Sequence, residues 1–473
     1  MSRPNIVFIL ADDLGYGDFS ALNGGLSSTP TLDALIREGV CLTQHYTASP
    51  VCNPSRACLL TGRYPHRTGS VDTLEWWGLE RLALRERTLA DMLKAAGYAT
   101  GLVGKWHLGA FDERYHPQRR GFDETVCFRG GMHDYWQWRI EWGGQARRSD
   151  GRYLTDLWAE EASAFIERHR REPFFLHLTF NAPHTPLQVP DEEVKPFLGK
   201  AGVPTGGVAR LYGMIHRMDS AVARVLETLR RCGLEENTLV LFCSDNGPQF
   251  GGRGDERLDR FNSNLNGCKG NVYEGGIRVP MILRWPAGLP GRREVGGMVH
   301  FADWLPTLLA ATGTPLPPDN LPLDGVNVLP VLRGEDGKTQ TRRCWQWNRY
   351  APLPECNAAV RDGDWKLVRP WRDGAGEVPD IQWLAVSMYG PEHFIHNGIF
   401  RPPYPVVEIG APRAPLLFNL RADPGERENL AEAHPAQVSR LSLILENWFA
   451  EVEAEWRSLP ENRGQAPSHT PLS

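Results

Sequence analysis

The chain has 473 residues, 41% of them hydrophobic, which is enough to bury one large α/β core and a smaller second domain. A formal charge of −5 with Lys and Arg spread along the whole length excludes a polyanion track, so no nucleic-acid partner is expected. No segment offers the roughly 18 uninterrupted apolar residues of a membrane span, so no membrane partner is expected either.

The first element is the apolar run Ile6 to Ala11 in "NIVFILADD". It is shorter than a secretory h-region and ends in Asp12 and Asp13, so it reads as a buried strand and not as a leader. With no export or anchoring signal in the sequence, a cytoplasmic location is expected. A helical pattern over Thr31 to Glu38 comes next, and then "SPVCNPSRACLLTGRYPHRTG", residues 49 to 69. Pro54 suits the first turn of a helix and would place Cys52 at its cap. Free N–H groups there favour an anion, and a thiol there is expected to have a lowered pKa. A plain capping residue is the alternative reading. The nine cysteines form no CxxC pair and no zinc spacing, so most are expected to be reduced core thiols.

A helix over Thr88 to Ala96 leads to "ATGLVGKWHLG", where Lys105 and His107 would point to the same side if the strand persists. The stretch "CFRGGMHDYWQWRIEW", residues 127 to 142, is dense in aromatics. "PFFLHLTFNAPHTP" then carries His184 between two prolines that fix its loop. After a helix over Val208 to Cys232, "TLVLFCSDNGP" ends in Asp245 and Asn246. Continuous apolar strands alternating with helices predict an α/β fold with a large, mainly parallel or mixed sheet flanked by helices. In such sheets ligands gather beyond the carboxyl ends of the strands, and the polar groups of all four runs fall there. The oxygens of Asp12, Asp13, Asp245 and Asn246 suit a hard cation. Calcium fits, magnesium or manganese fit the same donors, and zinc is disfavoured.

Beyond the Pro-rich residues 312 to 325, "AAVRDGDWKLVRP" reads as an antiparallel hairpin. The expected division is a catalytic domain over 1–335 and a smaller C-terminal α+β domain over 336–473 with an antiparallel sheet. Residues 377 to 405 give no clear period and are expected to be a loop insertion. A helix over Pro435 to Trp456 closes the chain, and the last dozen or so residues are expected to fray. Trp304 and Trp365 are assigned to packing.

"CNPSRACLLTGR" matches the pattern C-x-P-S-R followed by L-x-T-G-R. With "ADDLG", "GKWHLG", "APH", "SDNG" and "EGGIRVP" in the same order, the chain resembles the type I, formylglycine-dependent sulfatases of the alkaline phosphatase superfamily along nearly its whole length. The resemblance implies an alkaline-phosphatase-like fold. It also implies that a separate formylglycine-generating maturation enzyme oxidises Cys52 to an aldehyde whose hydrate is the nucleophile. By the same resemblance, Asp12, Asp13, Asp245, Asn246 and the group at Cys52 hold a calcium ion. Arg56 would hold the nucleophile and the metal carboxylates, and Lys105 and Lys269 would neutralise the sulfate. His107 would take a proton during sulfate release, and His184 would assist the leaving alcohol.

His133 and Asp134 are the candidate substrate contacts, with Trp76 and Trp77 as a second wall. Aromatic faces with nearby acids suit sugar rings and aryl groups alike. Glu274 and Arg278 are expected to hold the loop after Lys269. The implied activity is hydrolysis of a carbohydrate or aryl sulfate to an alcohol and inorganic sulfate. Two alternatives stand: a phosphonate monoester or phosphodiester hydrolase with the same formylglycine, and an unmodified, non-catalytic binder of sulfated glycans.

Overall fold

In the computed structural model, residues 3–462 are described. Almost all of the C-terminal stretch expected to fray lies outside them. Ten strands form the main sheet. Its centre is the parallel set Thr238–Ser244, Asn5–Ala11, Phe174–Thr179, Ala99–Lys105 and Glu124–Phe128. Every residue of Asn5–Ala11, Phe174–Thr179 and Thr238–Ser244 is buried, as expected for strands covered on both faces. Antiparallel strands on both flanks, Met281–Arg284 on one and Arg139–Trp142 and Gln145–Arg148 on the other, make the sheet mixed.

One face packs on helices Pro30–Glu38, Leu154–Arg168 and Gly206–Arg231, and the other on Cys52–Thr61, Leu89–Ala95 and Trp304–Thr312. The helices expected over Thr31 to Glu38, Thr88 to Ala96 and Val208 to Cys232 are found within about two residues of those bounds, and helix Leu154–Arg168 was not anticipated. At Leu89 the reason is local: Thr88 accepts the N–H of Asp91 while Asp91 accepts that of Thr88, which closes a capping box.

A second, antiparallel sheet runs in the order Arg342–Gln346, Ala358–Asp362, Trp365–Arg369, Leu416–Asn419. Its hairpin turns at Gly363, with φ of 64°, a left-handed conformation that glycine adopts without strain. Helix Pro435–Ser458 covers this sheet through Leu441 and Leu445. The expected loop insertion is in fact partly helical, over Trp383–Tyr389 and Glu392–Asn397. These helices are too short to show a period, and they form by packing Phe394, Trp383 and Phe400 against one another and against Phe111 and Trp77. Trp304 is buried, as its packing assignment requires, and its ring N–H donates to His45.

The second sheet is fastened to the first through charge. Lys366 lies 2.9 Å from Glu274 and 2.8 Å from Glu426, and all three side chains are fully buried. Glu274 also accepts the hydroxyl of Tyr46, and Arg278 donates to the carbonyl of Thr43, so both residues do hold their loop. Removing one partner of a buried ion group strands the others. Lys366→Met should therefore destabilise the fold by about 3–5 kcal/mol, read by urea unfolding; a change within about 0.5 kcal/mol would show that the carboxylates are neutralised by other means.

Candidate active site

The parallel register aligns the carboxyl ends of the central strands: Leu10 pairs with Thr179, Ala11 with Ser244, and Gly104 with Thr179. Asp12 and Asp13, Lys105, and Asp245 and Asn246 therefore emerge side by side. The strand approach at Lys105 depends on Gly104. It has φ of +116°, and a Cβ there would lie 1.9 Å from the carbonyl oxygen of Thr179. Backbone bonds from Asp12 to Ala182 and from Asp245 to Ala11 lock the ends together.

Three carboxylates are paired one to one with three cations. Lys105 Nζ lies 2.6 Å from Asp12 Oδ2, Lys269 Nζ 2.8 Å from Asp13 Oδ2, and Arg56 Nε 2.9 Å from Asp245 Oδ2. Burial pushes the Asp13 carboxyl up, but Lys269 and His184 outweigh it and bring the group down to about 2. At Asp245 burial and the nearby Asp12 prevail over Arg56 and Lys105, raising it to about 6.

Two oxygens facing this cluster, Asp12 Oδ1 and Asn246 Oδ1, are buried without a hydrogen-bond partner. Asn246 is oriented by donating its amide to Asp13 Oδ1 at 2.7 Å. Buried orphan oxygens cost free energy unless something positive meets them. Oxygen donors of this kind suit a divalent hard cation. One oxygen each of Asp12 and Asp13 and a ring nitrogen of His184 lie within 4.8 Å of one another.

Cys52 is the first residue of helix Cys52–Thr61, not its cap; Val51 is the cap and Pro54 is the third residue. The helix start is pinned by Thr47, whose hydroxyl bridges the Ser55 hydroxyl and the Asp245 carbonyl, and by Ser55, which donates to Ser49 or Val51. Asn53 donates to the carbonyls of Glu80 and His107 at 2.7 and 2.6 Å. The expected lowering of the Cys52 thiol does not occur. Burial pushes it up, Asp12 and Asp245 add to the rise, and Lys105 and Lys269 do not cancel it. Burial is the largest cause of the rise.

Lys105 and His107 reach the site by different routes. The strand ends at Lys105 and His107 turns to φ of 55°, so the alternation expected for a continuing strand fails. The His107 ring packs under Gly131, its Nε2 lies 4.0 Å from Glu75, and neither ring nitrogen has a hydrogen-bond partner. Burial and then Lys105 hold it well below the usual histidine range. His184 Nδ1 lies 2.7 Å from the Thr185 carbonyl, which only accepts, so Nδ1 carries the hydrogen. Its Nε2 faces Asp13 at 3.6 Å, and burial lowers the ring to about 3.

Cys52, His107, His184 and Lys269 line one cleft of about 450 Å³. The expected substrate contacts His133 and Asp134 do not line it. The His133 ring is bonded to the Arg139 carbonyl at 2.7 Å, and Asp134 accepts Trp136 N–H, Gln137 N–H and the Gln188 amide. Their polar atoms are consumed in shaping the loop. Trp76 does form a wall, whereas Trp77 packs behind it among Tyr350, Phe400 and Tyr404. Sequence reasoning missed Glu75 and, from the C-terminal region, Trp347 and Arg349, which line the cleft, and Asn53, which fastens the helix start to the carbonyls of Glu80 and His107. Asn53 lies inside the "CNPSR" motif, but the other three carry no local signal.

Residues 4–314 match the sulfatase family model, and residues 268–382 match that of the C-terminal region of N-sulphoglucosamine sulphohydrolase. Steryl-sulfatase of Mus musculus is 33% identical, covering 93% of this chain and 81% of that protein. N-acetylgalactosamine-6-O-sulfatase of Bacteroides thetaiotaomicron is 31% identical, covering 94% and 93%. Ps i-CgsB, solved in complex with k-i-k-neocarrahexaose, matches with a TM-score of 0.76 at 28% identity over 98% of this chain and 94% of that one. The family match runs through every strand end that supplies the cleft, so the chain belongs to the sulfatase family, within the alkaline phosphatase superfamily, and is an enzyme that hydrolyses sulfate esters.

Proposed function

We propose that this sulfatase releases inorganic sulfate from a carbohydrate sulfate, using a formylglycine derived from Cys52 and a bound calcium ion. The observation that carries the reading is the position of Cys52. It is 3% exposed at a helix start, burial pushes its thiol up, and it shares a cleft with Lys269 and two histidines. Its burial supports a separate formylglycine-generating enzyme that acts before this helix packs. The carbohydrate class is supported by the N-acetylgalactosamine-6-O-sulfatase relative and by the neocarrahexaose bound to Ps i-CgsB.

Calcium when bound supplies two positive charges at the sulfate, and formylglycine when hydrated supplies an oxygen nucleophile at position 52. Asp12, Asp13, Asp245 and Asn246 would hold the ion, beside the group at position 52. Lys105 and Lys269, each fixed by a buried carboxylate, present preorganised positive charge to the sulfate oxygens in a site poor in water, where such charge acts most strongly. Arg56 joins Asp245 to the Lys105 carbonyl and so keeps two strand ends in register with the helix start. His107, neutral with both ring nitrogens free of hydrogen bonds, accepts a proton within the cleft. His184, with its Nδ1 hydrogen engaged by the Thr185 carbonyl, leaves Nε2 facing the site as a proton acceptor, and only after taking up a proton there does it pass one to the leaving oxygen.

Calcium added to chelator-treated protein should raise its unfolding free energy, by about 2.7 kcal/mol at a hundredfold excess over Kd. Asp12→Asn should remove most of that gain, and a thermal midpoint indifferent to calcium in the unaltered protein would count against the metal assignment. Cys52→Ala should reduce sulfate release to background while the calcium-dependent stabilisation persists; retained turnover would overturn the formylglycine assignment. His184→Ala should cost roughly 10²–10⁴-fold in kcat on an alkyl sulfate and much less on p-nitrophenyl sulfate, whose leaving group needs little protonation. Equal losses on both would argue against proton donation.

A further inference from the structure

The cleft that holds Cys52 is closed by the segment following strand Arg342–Gln346, which contributes Trp347 and Arg349. That segment is joined rigidly to the catalytic loops. Asn357 donates one amide group to the carbonyls of both Gly270 and Trp347, each at 2.8 Å, and Gly270 N–H in turn donates to the Pro50 carbonyl. The Trp347 ring lies against Gly270, 3.5 Å from where a Cβ would stand. Trp347 is therefore held directly beside the turn that carries Lys269, and two residues from the helix start at Cys52 through Pro50.

Arg349 is oriented as carefully. Its Nη1 donates to Asp72 Oδ1 at 2.8 Å and to the Thr73 hydroxyl at 2.7 Å. Asp72 is itself fully buried and fixed by the N–H groups of Thr73 and Tyr350. The guanidinium stacks over Trp347 at 5.0 Å, where its Nε is buried without a partner. Among the described residues nothing bonds Nη2, and the side chain is 24% exposed. An arginine serving only to neutralise Asp72 would not need to leave a free edge in the catalytic cleft. A clamped, stacked guanidinium with an open N–H edge has the form of an anion receptor, and the buried Trp347 ring, itself packed on Trp371 and Gly270, is the platform that holds it in place.

We propose that Trp347 and Arg349 form a second-anion subsite, so that the preferred substrate is a sulfated sugar bearing another acidic group, sulfate or carboxylate, on the same ring or the adjoining one. This rests on the sulfatase reading above. The cleft, at about 450 Å³, lies within the roughly 300–1,000 Å³ of small-molecule sites, and the scissile sulfate does not fill it.

The test compares matured enzyme and Arg349→Ala on four substrates: p-nitrophenyl sulfate, N-acetylgalactosamine 6-sulfate, its 4,6-disulfate, and a disaccharide linking the 6-sulfated sugar to a hexuronate. Wild-type kcat/KM should favour the better of the doubly acidic substrates over the monosulfate by at least tenfold. Arg349→Ala should lower kcat/KM for that substrate at least tenfold more than for the monosulfate, mainly through KM. Which doubly acidic substrate responds tells sulfate from carboxylate. Equal losses on single and double anions, or a wild-type enzyme without preference, would overturn the subsite. The wild-type comparison decides even if Arg349→Ala does not fold. Failure of the wild type on p-nitrophenyl sulfate and on every sugar sulfate would instead strike the sulfatase reading itself.

Discussion

Everything at this site depends on burying three carboxylates and three cations together at the ends of parallel strands. Lys105 and Asp12 meet at 2.6 Å with neither side chain exposed. Such a pair repays its desolvation only when its geometry is held closely and the remaining lone pairs are satisfied. The sheet supplies that geometry. Register places the strand ends together, Gly104 permits the close approach to Thr179, and apolar clusters on both faces prevent the strands from sliding.

The same water-poor setting determines which nucleophile can work. Desolvation that strengthens the grip of Lys105, Lys269 and Arg56 on oxygen also disfavours a thiolate, so the Cys52 thiol rises despite its helix terminus and its cationic neighbours. Beside the paired charges, Asp12 Oδ1 and Asn246 Oδ1 are left without a hydrogen-bond partner among the described residues.

The C-terminal region takes part in both the stability and the shape of the site. Lys366 reaches across to Glu274, and helix Pro435–Ser458 ties back through Glu455 to Arg63 and Arg67, just beyond the Cys52 helix. Asn357 then clamps the Trp347 segment to Gly270. A wall built this way can vary in its exposed residues without disturbing the reacting groups, because the clamp is made by backbone carbonyls.

Much of this was legible from the amino-acid order alone. The buried strands and main helices emerge from apolar runs, which deliver Asp12, Asp13, Lys105, His107, His184, Asp245 and Asn246 at their ends; Cys52, Arg56 and Lys269 stand out through the sulfatase resemblance, and the structure brings all of these to one place. Those features are local: a run of apolar residues makes a strand wherever it lies, and a strand end delivers the polar residues attached to it. Tertiary structure alone decided the rest. His107 leaves the strand period because the chain turns at Lys105, and the Cys52 thiol is governed by its burial and not by its helix position. His133 is held by the Arg139 carbonyl and Asp134 by two nearby N–H groups and the Gln188 amide, and Trp347 and Arg349 enter the cleft from nearly 300 residues beyond Cys52. Solvation and long-range hydrogen bonding set each of these outcomes, and neither is written in the sequence around the residue concerned.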